Sequence, residues 1–590
     1  MKSPNGIAQL TSPRTTVEVH LPDGRVLCGP RNTTIGAFLN GLPEHDPQDP
    51  IVGAVVNGEL RELTYPVELD SRARPILMSD PDGSGIYRRS VTCLLVAAFN
   101  DVFPEADISI THSMSSGSFY CSAINRGPLS REELTQVEAR MRELVKADLP
   151  FERKVVPLQE AIDYFKSKHQ AEKVQLLSYR SKGTLGLYAL GNRCDYHHGY
   201  MVPSTGYLRW FALAPVGDGF AVRFPRRKAP NELAPMPDSK KLLATFREYN
   251  NWLVRLGVEN VSALNGAIKG KRVNELILIS EALHEHRIAE IARLVVERSK
   301  DARIVLVAGP SSSGKTTFSK RLAVQLLAQG ISPFPLELDN YFLDRDLTPR
   351  DEKGDYEFEA LEALDTPRLL SDLQRLVAGE EVRLPKFNFP LGRSEPGEAV
   401  KLEKGQLVIL EGIHGLNPRL LPGLPNRQTT RIYVSCLTQL NLDRHNRIST
   451  TDTRLLRRII RDARDRGYSA QQTINRWASV GRGEKKHIFP YQEHADVIFN
   501  SALVYELSAI RQLAEPLLRQ VDFGTPEYIE AKRLLALLQW FLPISEGLVP
   551  DNSILREFIG GSILKGFTLW HNGKHEDEFV AQSVISELNC

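Results

Sequence analysis

The chain has 590 residues, of which 42% are apolar and 25% charged, and its formal net charge is +2. That length is too great for one hydrophobic core and predicts about three to five domains of roughly 100–200 residues. The near-neutral balance excludes a global field that would steer the chain to nucleic acid or membrane. The opening MKSPNGIAQLTSPR lacks an apolar signal core, and no run approaches ~18 consecutive apolar residues, so no secretion and no membrane partner are expected. The cysteines (Cys28, Cys93, Cys121, Cys194, Cys436, Cys590) are scattered with no CxxC pair, which reads as a reduced, cytoplasmic protein.

Val17, Val19 and Leu21 alternate with Thr16, Glu18 and His20, the pattern of a half-buried strand. Pro22-Asp23-Gly24 forms a turn, and RVLCG returns as a hairpin partner. Thr33 or Thr34 caps a short helix through Leu39, and VGAVVNGEL turns at Asn57-Gly58. A β-grasp domain over 1–78 accounts for this order. Residues 79–228 mix helices (VTCLLVAAFNDVF, SREELTQVEARMRELVKA) with short strands, an α+β domain. Amphipathic helices over 239–256 and 272–299 make 229–300 a helical connector. From 301 to 505 apolar strands alternate with helices, predicting an α/β domain with a doubly wound parallel sheet. The last segment, 506–590, reads as helical.

The strongest motif is Gly309-Pro-Ser-Ser-Ser-Gly314-Lys315-Thr316, a full G-x-x-x-x-G-K-[ST] match between strand Ile304–Ala308 and a helix from Lys315 to about Ala328. Backbone N–H groups of such a loop converge on phosphate at a helix N-terminus, where the dipole favours anions. Gly309, Ser311, Ser312, Ser313, Gly314, Lys315, Thr316 and Thr317 are therefore the candidate ATP-binding set, with Lys315 reaching the β- and γ-phosphates and Thr316 ligating Mg²⁺. The next strand ends at Asp339, placed at the carboxyl edge of the sheet to accept a substrate hydroxyl proton or hold metal, or simply to serve as a solvated loop residue or helix cap. Strand QLVIL ends in Glu411, a candidate Mg²⁺ ligand or structural ion pair. In TDTRLLRRIIRDARDRG, read as a helix capped near Asp452, Arg454, Arg458 and Arg461 share one face and Leu455, Leu456, Ile459 and Ile460 another. Those arginines either neutralise a transferring phosphoryl group or form a solvated face paired with Asp462 and Asp465.

Together the P-loop, LDNYF, DYEFEALEALD, LPKFNF, ILEGI, DTRLLRRIIRD and ADVIFN resemble the uridine kinase and phosphoribulokinase family over about 301–505. The resemblance implies Asp339 as general base, Glu411 with Thr316 around Mg²⁺, and Glu359 near ribose hydroxyls. It also implies Arg458 near the acceptor, and Arg461 and Arg466 on the phosphates in a mobile lid. Glu359 stands where uridine kinases usually have Asp. The Tyr and His that hold the pyrimidine correspond to Phe387 and Gly392, neither of which donates a hydrogen bond. Phe387 and Phe389 still offer ring stacking, unless they are plain core aromatics.

Residues 14–78 look like a TGS domain, and about 79–228 resemble the editing domain of threonyl-tRNA synthetases, through GIYRRSVTCLLVAAFNDVFP and CDYHHGYMVPSTG. The four positions that handle the mischarged ester in that family are Arg89, Cys93, His197 and Met201 here, and Arg and Met cannot replace a catalytic imidazole. Hydrolysis is not expected. A binding or regulatory module folding alone over 1–228 is, with RNA, tRNA or a small molecule as its ligand. His197-His198 lacks a third metal ligand, and His284 and His286 lie on different sides of a helix. The expected activity is transfer of the ATP γ-phosphate to a primary hydroxyl, such as the 5′-hydroxyl of a nucleoside. The rivals are a tRNA- or nucleotide-responsive ATP switch and a sugar or sugar-phosphate kinase.

Overall fold

The computed structural model describes residues 12, 14–42, 46–114, 117–236, 239–350, 354, 356–438 and 440–567; Asp355, Cys590 and the end of the expected helical tail lie outside the described residues. Strands β1 (Thr16–His20) and β2 (Val26–Pro30) form the predicted hairpin, with Gly24 at φ +87°. Helix α1 (Ile35–Asn40) is capped by Thr34, whose side chain accepts the Ala37 N–H. Strands β3 (Ile51–Val56) and β4 (Glu59–Arg61) turn through Asn57-Gly58, both at positive φ, and β5 (Ser71–Leu77) completes a sheet ordered β2-β1-β5-β3-β4. The parallel β1–β5 pair at its centre, with α1 packed on the sheet, is the β-grasp arrangement.

The α+β region follows. Helix α2 (Pro81–Val102), β6 (Asp107–Ser113), β7 (Phe119–Ile124), and α3 (Arg131–Lys146), opened by a Ser130–Glu133 capping box, come first. Then come β8 (Glu152–Pro157), α4 (Leu158–Ser167), α5 (Ala171–Ser178), β9 (Thr184–Leu190), β10 (Arg193–Tyr196), β11 (Ala212–Val216) and β12 (Gly219–Arg223). They build sheets ordered β11-β12-β7-β6 and β10-β9-β8. Helices α6 (Lys240–Leu256), α7 (Val261–Lys269) and α8 (Val273–Arg298) connect onward.

The kinase-like region contains β13 (Ile304–Ala308), α9 (Lys315–Ala328), β14 (Pro333–Glu337), α10 (Thr366–Val377), β15 (Glu381–Asn388), β16 (Arg393–Lys401), β17 (Leu407–Glu411), β18 (Thr429–Ser435), α11 (Thr450–Arg466), α12 (Ala470–His487) and β19 (Val497–Asn500). Its parallel sheet runs β14-β17-β13-β18-β19, and β13, buried at every residue, is the central strand. The strand–helix alternation is interrupted by an antiparallel β15–β16 hairpin, whose turn needs Gly392 at φ +67°, and β17 and β18 follow with no α-helix between them. Helices α13 (Glu506–Leu518) and α15 (Arg556–Ile559) then pack back on α11, and α14 (Pro526–Leu538) packs on α12 and α13.

Two expectations are corrected. Helix α11 starts earlier than Asp452: Ser449 is its N-cap, accepting the Thr451 N–H, while Asp452 lies in the first turn and takes a bidentate ion pair from Arg533 at 2.7 and 2.8 Å. Residues 1–228 are not a self-contained unit either. Phe165, Leu176, Leu177 and Tyr196 share one continuous core with α7, α8, α14 and the parallel sheet. Among the described residues no helix is long and apolar enough to cross a membrane.

A loop of the kinase-like region seals this junction. Asn441 donates to the Ile110 and Thr111 carbonyls, the Ile110 N–H donates to Arg444 O at 2.8 Å, and Asp443 accepts the Tyr196 hydroxyl. His445, 6% exposed, sits between Asp195 at 3.0 Å and Asp107 at 3.4 Å, beside Lys173. Burial and Lys173 oppose its protonation, but the two carboxylates outweigh them and raise the imidazole to about 9. Folding thus raises this pKa above its unfolded value of about 6.5. The stabilisation is complete below that value and is lost as pH rises through about 9. The melting temperature of the full chain should therefore fall by several degrees more between pH 6.5 and 9.5 than that of His445→Gln, as read by differential scanning calorimetry.

Candidate active site

The loop after β13 is built for close backbone approach. Ser312 and Gly314 adopt φ +58° and +86°, and a Cβ at Gly309 would lie 1.9 Å from Val434 O. Helix α9 begins at Lys315, so the loop ends at a helix N-terminus, where the dipole favours an anion. Lys315 is largely buried, and its Nζ donates to Pro310 O at 3.3 Å. Thr316 Oγ1 donates to Glu411 Oε2 at 3.0 Å, bringing the two expected metal ligands together. Burial pushes the Glu411 carboxyl up to about 7, with Lys315 opposing and Asp339, Glu557 and Glu337 adding to the shift. Asp339 lies in a 3-10 turn (Leu338–Tyr341) after β14. Water reaches it, yet the cleft walls strip enough hydration to raise its carboxyl, while Lys315, Arg466 and Arg461 pull it back. The half-buried Thr316–Glu411 pair, with further carboxylates nearby, is an oxygen donor set suited to a hard divalent cation.

The arginines of α11 divide among different tasks. Arg454 is buried: its Nε donates to Ser311 O at 2.8 Å and it forms an ion pair with Glu484, which in turn accepts the Ser311 N–H at 3.0 Å. Arg454 and Arg458 share the expected face, both reaching Ser311 and the Trp477 ring, but the P-loop covers Arg454, so that residue is a buried ion-pair partner and not a solvated one. Arg458 Nη1 donates to Ser311 Oγ at 3.0 Å, and its Nε to Asp462 at 3.2 Å. Arg461 and Arg466 also pair with Asp462, at 3.0 and 3.4 Å, within electrostatic reach of Asp339. Leu455, Leu456, Ile459 and Ile460 are buried, as the periodicity predicts.

On the acceptor side, Glu359 packs under α12. A Cβ at Gly483 would lie 2.4 Å from Glu359 Cβ, so the glycine permits the approach. Burial raises the Glu359 carboxyl and Arg458 lowers it. The Phe342, Phe387 and Phe389 rings cluster, with centroids 5.1 Å apart for Phe387 and Phe389 and 5.7 Å for Phe342 and Phe387. Phe389 is 53% exposed, so it is no core residue. A Cβ at Gly392 would lie 2.8 Å from the Arg345 guanidinium, which fills the adjoining space and donates to Phe389 O at 2.8 Å.

Sequence reasoning missed Arg457, Glu484 and Glu557. Arg457 has no exposed surface and pairs with Glu506 at 2.7 Å. Its position three residues before the buried Ile460 was the available signal. Glu484 and Glu557 carry no local signal, since their P-loop partners lie 173 and 240 residues away.

In the front half, Arg89 donates to Tyr200 O, and burial lowers its guanidinium to about 10. Burial likewise pushes the Cys93 thiol up to about 12 and holds the His197 imidazole down at about 4, while Met201 is 1% exposed. His198 Nε2 lies 3.2 Å from Arg533 O, and no group of three metal-ligating side chains occurs among the described residues. Burial thus disfavours the thiolate of Cys93 and the imidazolium of His197, both half-buried side chains.

Comparison with known proteins gives two separate matches. The N-terminal region is similar to a threonine--tRNA ligase of Laribacter hongkongensis (33% identity over 211 residues, 34% of this chain and 32% of that protein) and to one of Paraburkholderia phytofirmans (33% over 205 residues, 35% and 32%). The chain thus spans about a third of the length of the curated relatives it matches. Among solved structures, a possible uridine kinase from Bacillus stearothermophilus is 18% identical, with 36% of this chain and 98% of that chain covered and a TM-score of 0.26. D-glycerate 3-kinase from Cryptococcus neoformans is 12% identical, with 46% and 88% covered and a TM-score of 0.20. Residues 304–508 match the Phosphoribulokinase / Uridine kinase family, and the chain therefore carries a P-loop kinase domain of that family behind a threonyl-tRNA synthetase-like N-terminal region.

Proposed function

We propose that this kinase domain transfers the ATP γ-phosphate to a primary hydroxyl, most simply the 5′-hydroxyl of a nucleoside, in the cytoplasm. The observation that supports this reading best is the placement of Asp339. A carboxylate open to the cleft and within electrostatic reach of Lys315, Arg461 and Arg466 is what a proton acceptor for the attacking hydroxyl requires. Nucleotide binding alone needs no such group, which disfavours the pure ATP-switch reading. Gly309, the Ser311–Ser313 run, Gly314, Lys315, Thr316 and Thr317 would hold the triphosphate, with Arg461 and Arg466 over its outer charge. Thr316 and Glu411, with Asp339 nearby, would hold Mg²⁺, which when bound neutralises charge on the phosphates. Glu359 and Arg458 would position the acceptor, and Phe387 and Phe389 would stack on it.

A sugar phosphate is the second reading, and Arg345 favours it. Where a nucleoside kinase needs an imidazole to hydrogen-bond a base, this chain has Gly392 with a guanidinium filling the space, a group matched to an anion. Steady-state ADP release with Mg·ATP distinguishes the two. Uridine and cytidine should support similar kcat/KM values, and a clear preference for a sugar phosphate would move the acceptor to the second class. The front half is read as a binding module for RNA or a small molecule that acts on kinase activity. The full chain should release no serine from seryl-tRNA(Thr), and rapid release abolished by Cys93→Ala would contradict this.

Asp339→Asn should lower kcat by roughly 10²–10⁴ with ATP affinity little changed. A loss explained wholly by weaker ATP binding would reassign Asp339 to metal or structure. Glu411 must be ionised to bind a cation, and its carboxyl sits at about 7. The Mg²⁺ concentration for half-maximal activity should therefore fall as pH rises from 6 to 8, and Glu411→Gln should raise that concentration and flatten its pH dependence.

A further inference from the structure

A P-loop helix leaves its first N–H groups free for the phosphates of a nucleotide. In this chain one of those donors is already engaged. The Thr317 N–H, in the first turn of α9, donates to Glu557 Oε2 at 3.1 Å. The acceptor arrives from a point 240 residues later in the chain. An ordinary cap comes from the residue before the helix, but Gly314 holds that position and has no side chain to cap with.

The segment that carries Glu557 is seated firmly around this contact. Ile554, Leu555 and Phe558 have no exposed surface. A Cβ at Gly314 would lie 2.5 Å from Ile554 Cγ2, so this side chain rests directly on the P-loop glycine. Lys320, one turn along α9, donates to Leu564 O at 2.8 Å. From the other side, Arg464 of α11 donates to Phe558 O at 2.7 Å and to Glu557 O at 3.0 Å. Arg464 lies between Arg461 and Arg466, the two residues read above as facing the phosphates, so the segment bridges the P-loop helix and the arginine helix.

We propose that residues 551–567 form an autoinhibitory latch, in which Glu557 occupies a phosphate-binding donor of the P-loop and nucleotide binds by displacing it. This rests on the reading of the P-loop as the nucleotide site. Two effects act together while the latch is closed. The Thr317 N–H is unavailable to phosphate, and the Glu557 carboxylate places a negative charge where the nucleotide brings several more. A ligand or partner that draws the C-terminal segment away would switch the kinase on without touching the acceptor site.

The test uses the full-length protein and ADP as probe. Glu557→Gln removes the charge while keeping the shape, and should tighten equilibrium ADP binding by about tenfold, the scale of one charge-assisted hydrogen bond. Unchanged or weaker binding would overturn the latch. Hydrogen exchange on the wild type needs no variant. Adding ADP should slow exchange over 311–317 and speed it over 556–564. Slower exchange in both segments would overturn the proposal, because the C-terminal segment would then close over the nucleotide. Absence of ADP binding by both proteins would overturn the P-loop assignment itself, and the latch with it.

Discussion

Arg457 has no exposed surface, and its donors are spread over the parts of the kinase that must stay in register. Its Nε and Nη2 form a bidentate pair with Glu506 at 2.9 and 2.7 Å, its Nη2 also reaches Ser501 O at 2.9 Å, and its Nη1 is directed at Ser501 Oγ and Ser312 O. Glu506 additionally accepts the Leu503 N–H at 2.9 Å. One buried charge therefore links α11, the end of β19, the start of α13 and the phosphate loop. A buried guanidinium is tolerated only when such partners are complete, and loss of one partner costs roughly 3–5 kcal/mol. The P-loop is held through the carbonyl groups of Ser311, Ser312 and Ser313, while two of its N–H groups, those of Ser311 and Thr317, are taken by Glu484 and Glu557.

The same logic recurs at Glu484, which pairs with the buried Arg454 and accepts the Ser311 N–H. It recurs again at the junction of the two halves, where Asp107, Asp195, Lys173 and His445 form a buried polar network across residues 107–445. That network lies beside Cys93 and His197 and draws the front half into one body with the kinase. The front half keeps a packed scaffold around Leu94, Leu95 and Phe99, with Met201 buried and Arg89, Cys93 and His197 half-buried beside it.

The local elements were readable because each rests on short-range chemistry. The Pro22-Asp23-Gly24 turn, the Asn57-Gly58 turn and the span of α9 follow from positive-φ residues and apolar periodicity. The P-loop, Asp339 and Glu411 were readable because a motif and two strand ends place them at one edge of a parallel sheet. The start of α11 was misplaced because Asp452 is as good a cap by type as Ser449, and only Arg533, 81 residues away, shows what Asp452 does. Glu557 and Glu484 were unreadable for the same reason, since their meaning lies in distant backbone donors. The independence of residues 1–228 was overestimated because a helix face such as that of Phe165 and Leu176 looks the same in sequence whether it closes its own core or a shared one.

Phosphoryl transfer to an acceptor, as opposed to switching or hydrolysis, is tested most directly by a single-turnover reaction. The full-length protein is mixed with γ-labelled ATP, Mg²⁺ and a pool of nucleosides and sugar phosphates, and the position of the label is determined. The account predicts that the label appears in a new phosphomonoester of one acceptor class and that Lys315→Ala abolishes this. Label found only in ATP or in inorganic phosphate, with a folded protein that binds nucleotide, would contradict it.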